Sequence, residues 1–430
     1  MKKAIIIGGN QGGLNMARCL AEAGFEVKLY EKKRREDVAF DWTDDIAPAV
    51  FERIGIPMPP KDAYYPKKPW TFVNPSETVK ISVYSAQQSD ISIYRRPLND
   101  YLYSLLKDKS VVEYETEVEK LISDGTKVKG VVVEGKEEYC DLVVDCSGVY
   151  SKFRASLDSK AKIMAQPKED EVFVAYRGFF KAKEGENVEH TNKAYLKHIG
   201  RKGISWCIYD DGIVDILIGS IGKLTDEDFN AAMNDLKKDN PVLSDELVKA
   251  GYTSVIPVRY PISKMVTDGY VLCGDSAFMT IPMMGSGIVC SLDCGKMLKD
   301  VLTENDDCTV ENLWKYQVKF FSMYASFCGV DILKRWMLGM DNDDLNFMFE
   351  SGVMDEKLLG NGSSGGLLKI TFPQMLQMGW KGRKRISVLM KAASVASNSR
   401  KVADLAKGIP AVYDEKAVGN WQEKLDGLYE

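Results

Sequence analysis

Along the first thirty residues, short apolar runs flank one stretch of helical spacing. Ala4-Ile5-Ile6-Ile7 is an unbroken apolar run of strand length. Leu14, Ala17, Leu20 and Ala21 recur at helical intervals with Gly24 as a stop, and Phe25 to Glu31 alternates as a second strand. The order predicts strand, helix, strand. The charged stretch Lys32 to Asp37, the run Asp41-Trp42-Thr43-Asp44-Asp45 and the proline-rich Pro57-Met58-Pro59-Pro60 then predict a loop-rich excursion. Residues 70–94 read as short strands and 97–106 as a helix. Alternation over 111–118 and 128–133 predicts a hairpin turning at Asp124-Gly125. Leu142-Val143-Val144 is a buried strand ending at Asp145. Residues 170–222 alternate as strands, Tyr270 to Cys273 is another strand, and a long helical run follows Gly287. From about Glu311 helical patterns dominate, broken by a flexible stretch from Gly360 to Gly366.

Composition narrows the function classes. With 430 residues the chain can form two or three lobes around a large buried core. A net charge of −5 argues against a general nucleic-acid binder. Nine cysteines, an odd number without C-x-x-C spacing, predict reduced thiols and a cytoplasmic setting, and no metal cluster is expected. No stretch reaches 18 uninterrupted apolar residues; even 269–298 is broken by Asp275, Asp293 and Lys296, so no membrane span is predicted. His190 and His198 are the only histidines, lie in a polar segment and are expected at the surface. Hydrolytic Ser-His-Asp or Cys-His relays are thereby demoted.

The chemistry concentrates in two glycine clusters. Gly8-Gly9-Asn10-Gln11-Gly12-Gly13 sits where the first strand enters the first helix, and Glu31 closes the second strand. A strand entering a helix through a tight turn aims backbone N–H groups and the positive helix end at a pyrophosphate, while the acidic residue accepts from ribose hydroxyls. Gly8 permits the turn and Gly13 the close helix–strand approach. Asn10 replaces the second glycine of the fingerprint and is expected to tolerate a positive φ there. The second cluster joins Gly274-Asp275 at a strand end to Gly285-Ser286-Gly287-Ile288 at a helix start. A carboxylate there suits the ribityl and pyrophosphate side of FAD, and the helix N-terminus suits negative charge on the pyrimidine edge of a reduced flavin. The plainer reading of either cluster is a glycine-rich turn used for packing.

With these blocks the chain resembles the two-domain flavoproteins that include p-hydroxybenzoate hydroxylase and the flavin-dependent halogenases, and above all the geranylgeranyl reductase family. Four stretches carry the resemblance: the N-terminal cradle; Tyr94-Arg95-Arg96-Pro97-Leu98-Asn99-Asp100-Tyr101-Leu102; Asp145-Cys146-Ser147-Gly148-Val149-Tyr150-Ser151-Lys152-Phe153-Arg154; and Gly274 to Ile288. It implies FAD as cofactor, with Arg95, Val118 and Gly148 joining the glycine clusters in holding it. Gly203 to Gly212 is similar to a reductase segment lining the substrate cavity and retains Trp206. Where archaeal geranylgeranyl reductases have a cysteine-glycine motif, this chain has Asp41 to Asp45.

The expected protein is α/β (α+β overall): a Rossmann-like FAD-binding domain (1–60, 95–155 and 260–310), an antiparallel substrate sheet (61–94 and 156–259) and a helical C-terminal region (311–430). The resemblance implies reduction of carbon–carbon double bonds in a hydrophobic, isoprenoid or lipid substrate. The competing readings are a flavin-dependent monooxygenase or halogenase of the same fold, and a flavin-carrying redox-sensing or binding protein. Trp42, Trp206, Met279, Met283 and Met284 are the expected pocket wall, with Met283 and Met284 equally explained as core and Trp206 as a sheet anchor. Tyr209 is the candidate proton donor. With one nucleotide cradle for FAD, electrons would come from NAD(P)H or ferredoxin. The basic run Trp380-Lys381-Gly382-Arg383-Lys384-Arg385, followed by Ile386, Leu389, Met390 and Ala393 on one helical face, fits peripheral contact with the inner membrane surface or packing on its own domain.

Overall fold

The computed structural model describes residues 1–84, 90–106, 110–363, 366–367 and 370–429. Its central sheet has six strands, in the order Val266–Thr267, Tyr270–Leu272, Leu142–Asp145, Lys3–Ile7, Glu26–Tyr30 and Ser110–Glu113. All neighbours are parallel except the first pair. Ile5, Ile6, Val27, Leu29, Val143 and Val144 are all buried, as strands covered on both faces require. Lys3–Ile7 lies at the point where strand order reverses, the place at which open α/β sheets take ligands. The helix Gln11–Glu22 follows it and packs against Ile288–Glu304, so the two cradle helices touch.

The second lobe is a seven-stranded sheet in the order Leu243–Pro257, Val172–Ala182, Ile213–Ile221, Ile204–Asp210, Asn192–Leu196, Trp70–Val73 and Lys80–Val83. It is antiparallel except between Asn192–Leu196 and Trp70–Val73, which run parallel, a departure from the purely antiparallel expectation. Its Cys207, Val214, Ile216 and Ile218 pack on Ala232, Met233 and Leu236 of the helix Asp226–Asp239. That helix was hidden in a segment read as sheet, although Thr225 caps it, its Oγ1 accepting from the Asp228 amide at 3.1 Å. The other side of the sheet faces a cavity.

Several local expectations change. The hairpin pairs Val118–Asp124 with Lys127–Val133, whereas Ser110–Glu113 joins the parallel sheet beside Glu26–Tyr30. Thr43–Ile46, read as loop, is a strand paired with Ile91–Tyr94. Gly360 to Ser363 close the helix Glu356–Ser363 instead of forming a flexible linker, while Ser364 and Gly365 lie outside the described residues. The C-terminal region is helical as expected, from Val310–Tyr324 to Glu415–Asp426. No helix among the described residues is long and apolar enough to cross a membrane, and all nine cysteines are free.

Candidate flavin cradle and substrate cavity

The first cradle is built by close backbone approaches. Gly8 has φ +104°, and a Cβ there would lie 2.5 Å from the Cys146 carbonyl oxygen. A Cβ on Gly13 would be driven into the Gly8 carbonyl. Asn10 adopts φ −80°, so the departure from the fingerprint needs no left-handed residue; Gly8 carries the unusual conformation instead. Gln11, Gly12 and Gly13 open the helix, where N–H groups lack intrahelical acceptors. Glu31 accepts from the Gly9 amide at 2.8 Å and the Lys33 amide at 2.9 Å, which fixes its carboxylate under the turn. Val118 is buried just beyond Thr116, whose amide donates to the Glu31 carbonyl at 3.0 Å. Gly148 takes φ +98° after Ser147, whose amide and hydroxyl both donate to Asp145.

The second block meets the first. A Cβ on Gly287 would lie 2.9 Å from the Met279 carbonyl oxygen and 3.6 Å from Asp275 Oδ1, so the absence of a side chain there lets the helix start close over the carboxylate. The Ile281 amide donates to the Ser286 carbonyl at 2.9 Å, which folds Gly285-Ser286-Gly287 back on the strand end, and Ile288 begins the helix. Arg154 clamps the two blocks, donating to the carbonyls of Ser276 and Val149 while its guanidinium stacks 4.6 Å from the Phe278 ring. Among the described residues the Asp275 carboxylate accepts no hydrogen bond, and burial raises it to about 6 against the pull of Arg95. An unpartnered carboxylate beside a helix start, above a Gly8–Gly13 turn that excludes side chains, fits the hydroxyl-rich ribityl chain and pyrophosphate of FAD.

Next to these blocks lies a cavity of about 770 Å³. Its lining includes the apolar side chains of Phe173, Leu217, Ile256, Ile281 and Phe327 together with Met283 and Met284. It also includes the charged side chains of Asp44, Asp45, Lys67, Asp90, Arg95 and Arg177. Trp42 stacks on Phe40 at 4.9 Å, and its buried Nε1 has no hydrogen-bond partner among the described residues. Arg95 forms a two-point ion pair with Asp44 and lies 5.1 Å from the Trp42 ring. Arg177 pairs with Asp215 at 2.9 and 2.6 Å and also donates to the Thr43 carbonyl at 2.9 Å, tying the strand Thr43–Ile46 to the substrate sheet. Trp206 stands edge-on to Trp70 at 5.6 Å.

Of the residues singled out by sequence, Trp42, Trp206, Met283 and Met284 come together on this wall, with Arg95, Gly285 and Ser286. Met279 does not. It is fully buried, its sulfur 3.2 Å from the Gly274 amide, and it packs the strand end from behind. Tyr209 does not either: Trp206, Ile208 and Asp210 face the cavity, and strand alternation turns Tyr209 to the opposite side, against the core beneath Asp226–Asp239. His198, expected at the surface, is buried, with Nε2 3.2 Å from Asp235 and 3.9 Å from Glu77; His190 is half-buried. The three ligand atoms lie within 4.8 Å of one another, one grouping of metal-ligating type that no close spacing in the sequence signals. None of the three lines the cavity. Sequence reasoning missed Asp44, Asp45, Lys67, Arg177 and Asp215, whose pairings join segments far apart in the chain.

The fold and this site define an FAD-dependent oxidoreductase. The chain is similar to the geranylgeranyl reductase-like flavoproteins: it is 23% identical to a digeranylgeranylglycerophospholipid reductase of Sulfolobus acidocaldarius over 99% of this chain and 96% of that one. Its fold matches the crystal structure of a geranylgeranyl bacteriochlorophyll reductase-like protein of Thermoplasma acidophilum with a TM-score of 0.71, at 17% identity, covering 92% of this chain and 99% of the other. An FAD-dependent monooxygenase of Emericella nidulans is 22% identical over 69% of this chain and 59% of its own length. No protein-family model matches the chain.

Proposed function

We propose that the protein reduces carbon–carbon double bonds of a hydrophobic, isoprenoid-type lipid. The observation that carries this is the apolar wall of Phe173, Leu217, Ile256, Ile281 and Phe327 running up to Ser286 and Trp42 at the cradle. FAD in its reduced form supplies a hydride equivalent, and a proton completes addition across the double bond. Asp275 and the glycine turns hold the cofactor. The apolar wall orients the chain of the lipid and keeps water from the reacting carbons. Each basic side chain on the wall faces a carboxylate: Arg53 with Asp293, Lys67 with Asp45 and Asp90, Lys68 with Asp210, Arg95 with Asp44, Arg177 with Asp215 and Lys334 with Asp331. Among the described residues no cation on the wall is left without a carboxylate, which suits a largely uncharged substrate segment.

Electrons come from a nicotinamide nucleotide or a ferredoxin. The test is anaerobic mixing of the yellow holoprotein with NADH, NADPH or reduced ferredoxin, followed by geranylgeraniol in detergent and mass spectrometry. Bleaching by one donor and a product heavier by two hydrogens per reduced bond is expected. No bleaching with any donor, or bleaching without reduced lipid, overturns the reading. The monooxygenase relative favours a second reading, in which oxygen consumption yields a hydroxylated product and no saturated one.

A further inference from the structure

Two successive helices near the C-terminus leave large apolar side chains in water beside a cluster of cations. On Phe372–Lys381, Leu376 is 62% and Trp380 70% exposed, with Met375 also outward. On Ile386–Lys407, Ile386 is 54% and Met390 68% exposed, and Ala393 continues the same face. Met378 and Leu389 turn the other way and pack into the core around Met348 and Phe349, so the outward residues form the unpartnered side of anchored helices. Leu389, grouped by sequence with the outward face, belongs to that core.

Between the two helices runs Arg383–Arg385. Arg383 donates to the Trp380 carbonyl at 2.8 Å and lies 4.5 Å from its ring, while Lys384 is exposed. Arg385 pairs with Asp344 at 2.5 Å. A positive cluster on a chain whose net charge is −5 is a local feature. A purely apolar protein partner would leave these cations without a counterpart. An anionic bilayer meets both demands, taking Trp and Leu at the headgroup boundary and Lys and Arg at its phosphates. The surface also lies next to the cavity in the chain: Gly366 and Leu338 line the cavity, and the helix bearing Leu376 and Trp380 begins a few residues after Gly366.

We propose that this face seats the protein on an anionic phospholipid bilayer, with Leu376, Trp380, Ile386 and Met390 in the headgroup boundary and Arg383 and Lys384 at the phosphates. The inference rests on the reading of the cavity as one that receives a lipid. It places the source of that lipid against the helices that follow the cavity wall.

The test is co-sedimentation of the full-length holoprotein with vesicles of phosphatidylcholine alone or with one part in four of phosphatidylglycerol, at low and high salt. Binding to the anionic vesicles that weakens with salt is expected. L376S/W380S should lose at least about tenfold in partitioning, and R383Q/K384Q about twentyfivefold at low salt, each exposed cation being worth about fivefold. An unchanged flavin spectrum shows that both variants are folded. Failure of the wild type to bind anionic vesicles, or wild-type binding by both variants, overturns the proposal. A self-association split by L376S/W380S without vesicle binding also overturns it, assigning the face to a second copy. Reduction of detergent-dispersed geranylgeraniol should be unchanged in both variants; a wild type that reduces this lipid but does not bind anionic vesicles rejects the docking surface alone.

Discussion

Replacing Asp275 by Asn should strengthen the flavin-free protein and weaken its hold on FAD. In the structure the carboxyl accepts no hydrogen bond among the described residues, and burial raises it from the ordinary 3.8 to about 6. A carboxylate so raised binds its proton more tightly folded than unfolded. Its contribution is therefore full below about pH 4 and is lost as pH climbs through 6. At about 1.4 kcal/mol per pH unit, the rise from 3.8 to about 6 corresponds to roughly 3 kcal/mol of strain above pH 7, an upper bound because the residue is only half-buried. The neutral amide removes that strain. Deflavinated Asp275→Asn should accordingly be more stable than wild type at pH 8 by about 2 to 3 kcal/mol in urea unfolding, with the gap closing toward pH 4. The holoprotein should move the other way. A hydroxyl donating to a carboxylate is worth about 1.5 to 3 kcal/mol, so FAD affinity, read by fluorescence quenching, should fall roughly 10- to 150-fold at pH 8. Equal urea midpoints for the two deflavinated proteins at pH 8, or undiminished FAD affinity in the variant, would refute this reading.

Gly13→Ala forces a methyl group into the Gly8 carbonyl, so the purified variant should carry less than about a tenth of the wild-type flavin per polypeptide, measured by absorbance. Arg177→Met strands Asp215 in a site where both side chains are buried, and should cost about 3 to 5 kcal/mol in urea unfolding, most of it recovered when Asp215→Leu is added. Tyr209→Phe should leave turnover within about twofold of wild type, because the ring packs on the far side of the sheet from the cavity; a hundredfold loss would restore the tyrosine as proton donor.

The cradle was legible because its chemistry is written in local order: strand, Gly8 to Gly13, helix, strand, Glu31, all within one crossover. Gly274-Asp275 and Gly285 to Ile288 were legible for the same reason, each being a strand end or a helix start. The cavity wall was readable only where a large side chain stood out, as with Trp42 and Trp206. Tyr209 went astray because a motif reading ignores that neighbours on a strand face opposite ways. Met279 went astray because an apolar residue beside a glycine loop looks the same whether it lines a cavity or fills the space behind it. Arg177 with Asp215, and Asp45 with Trp70 and Ser92, could not be found by spacing. Their partners lie on strands whose register is set by the assembled sheets. The strand Thr43–Ile46 is polar along much of its length, and its pairing to Ile91–Tyr94 defines it where alternation does not.

The clamp of Arg154 on the Ser276 carbonyl, and the helix Ile288–Glu304 lying against Gln11–Glu22, have a consequence during biosynthesis. The turn from Gly8 to Gly13 leaves the ribosome well before Asp275, which follows only after the seven-stranded sheet has been translated. At about 5 to 20 residues per second that delay is tens of seconds. Until residue 304 emerges, Ile288–Glu304 cannot pack on Gln11–Glu22, so the nascent chain carries the first glycine turn without the helix that covers it.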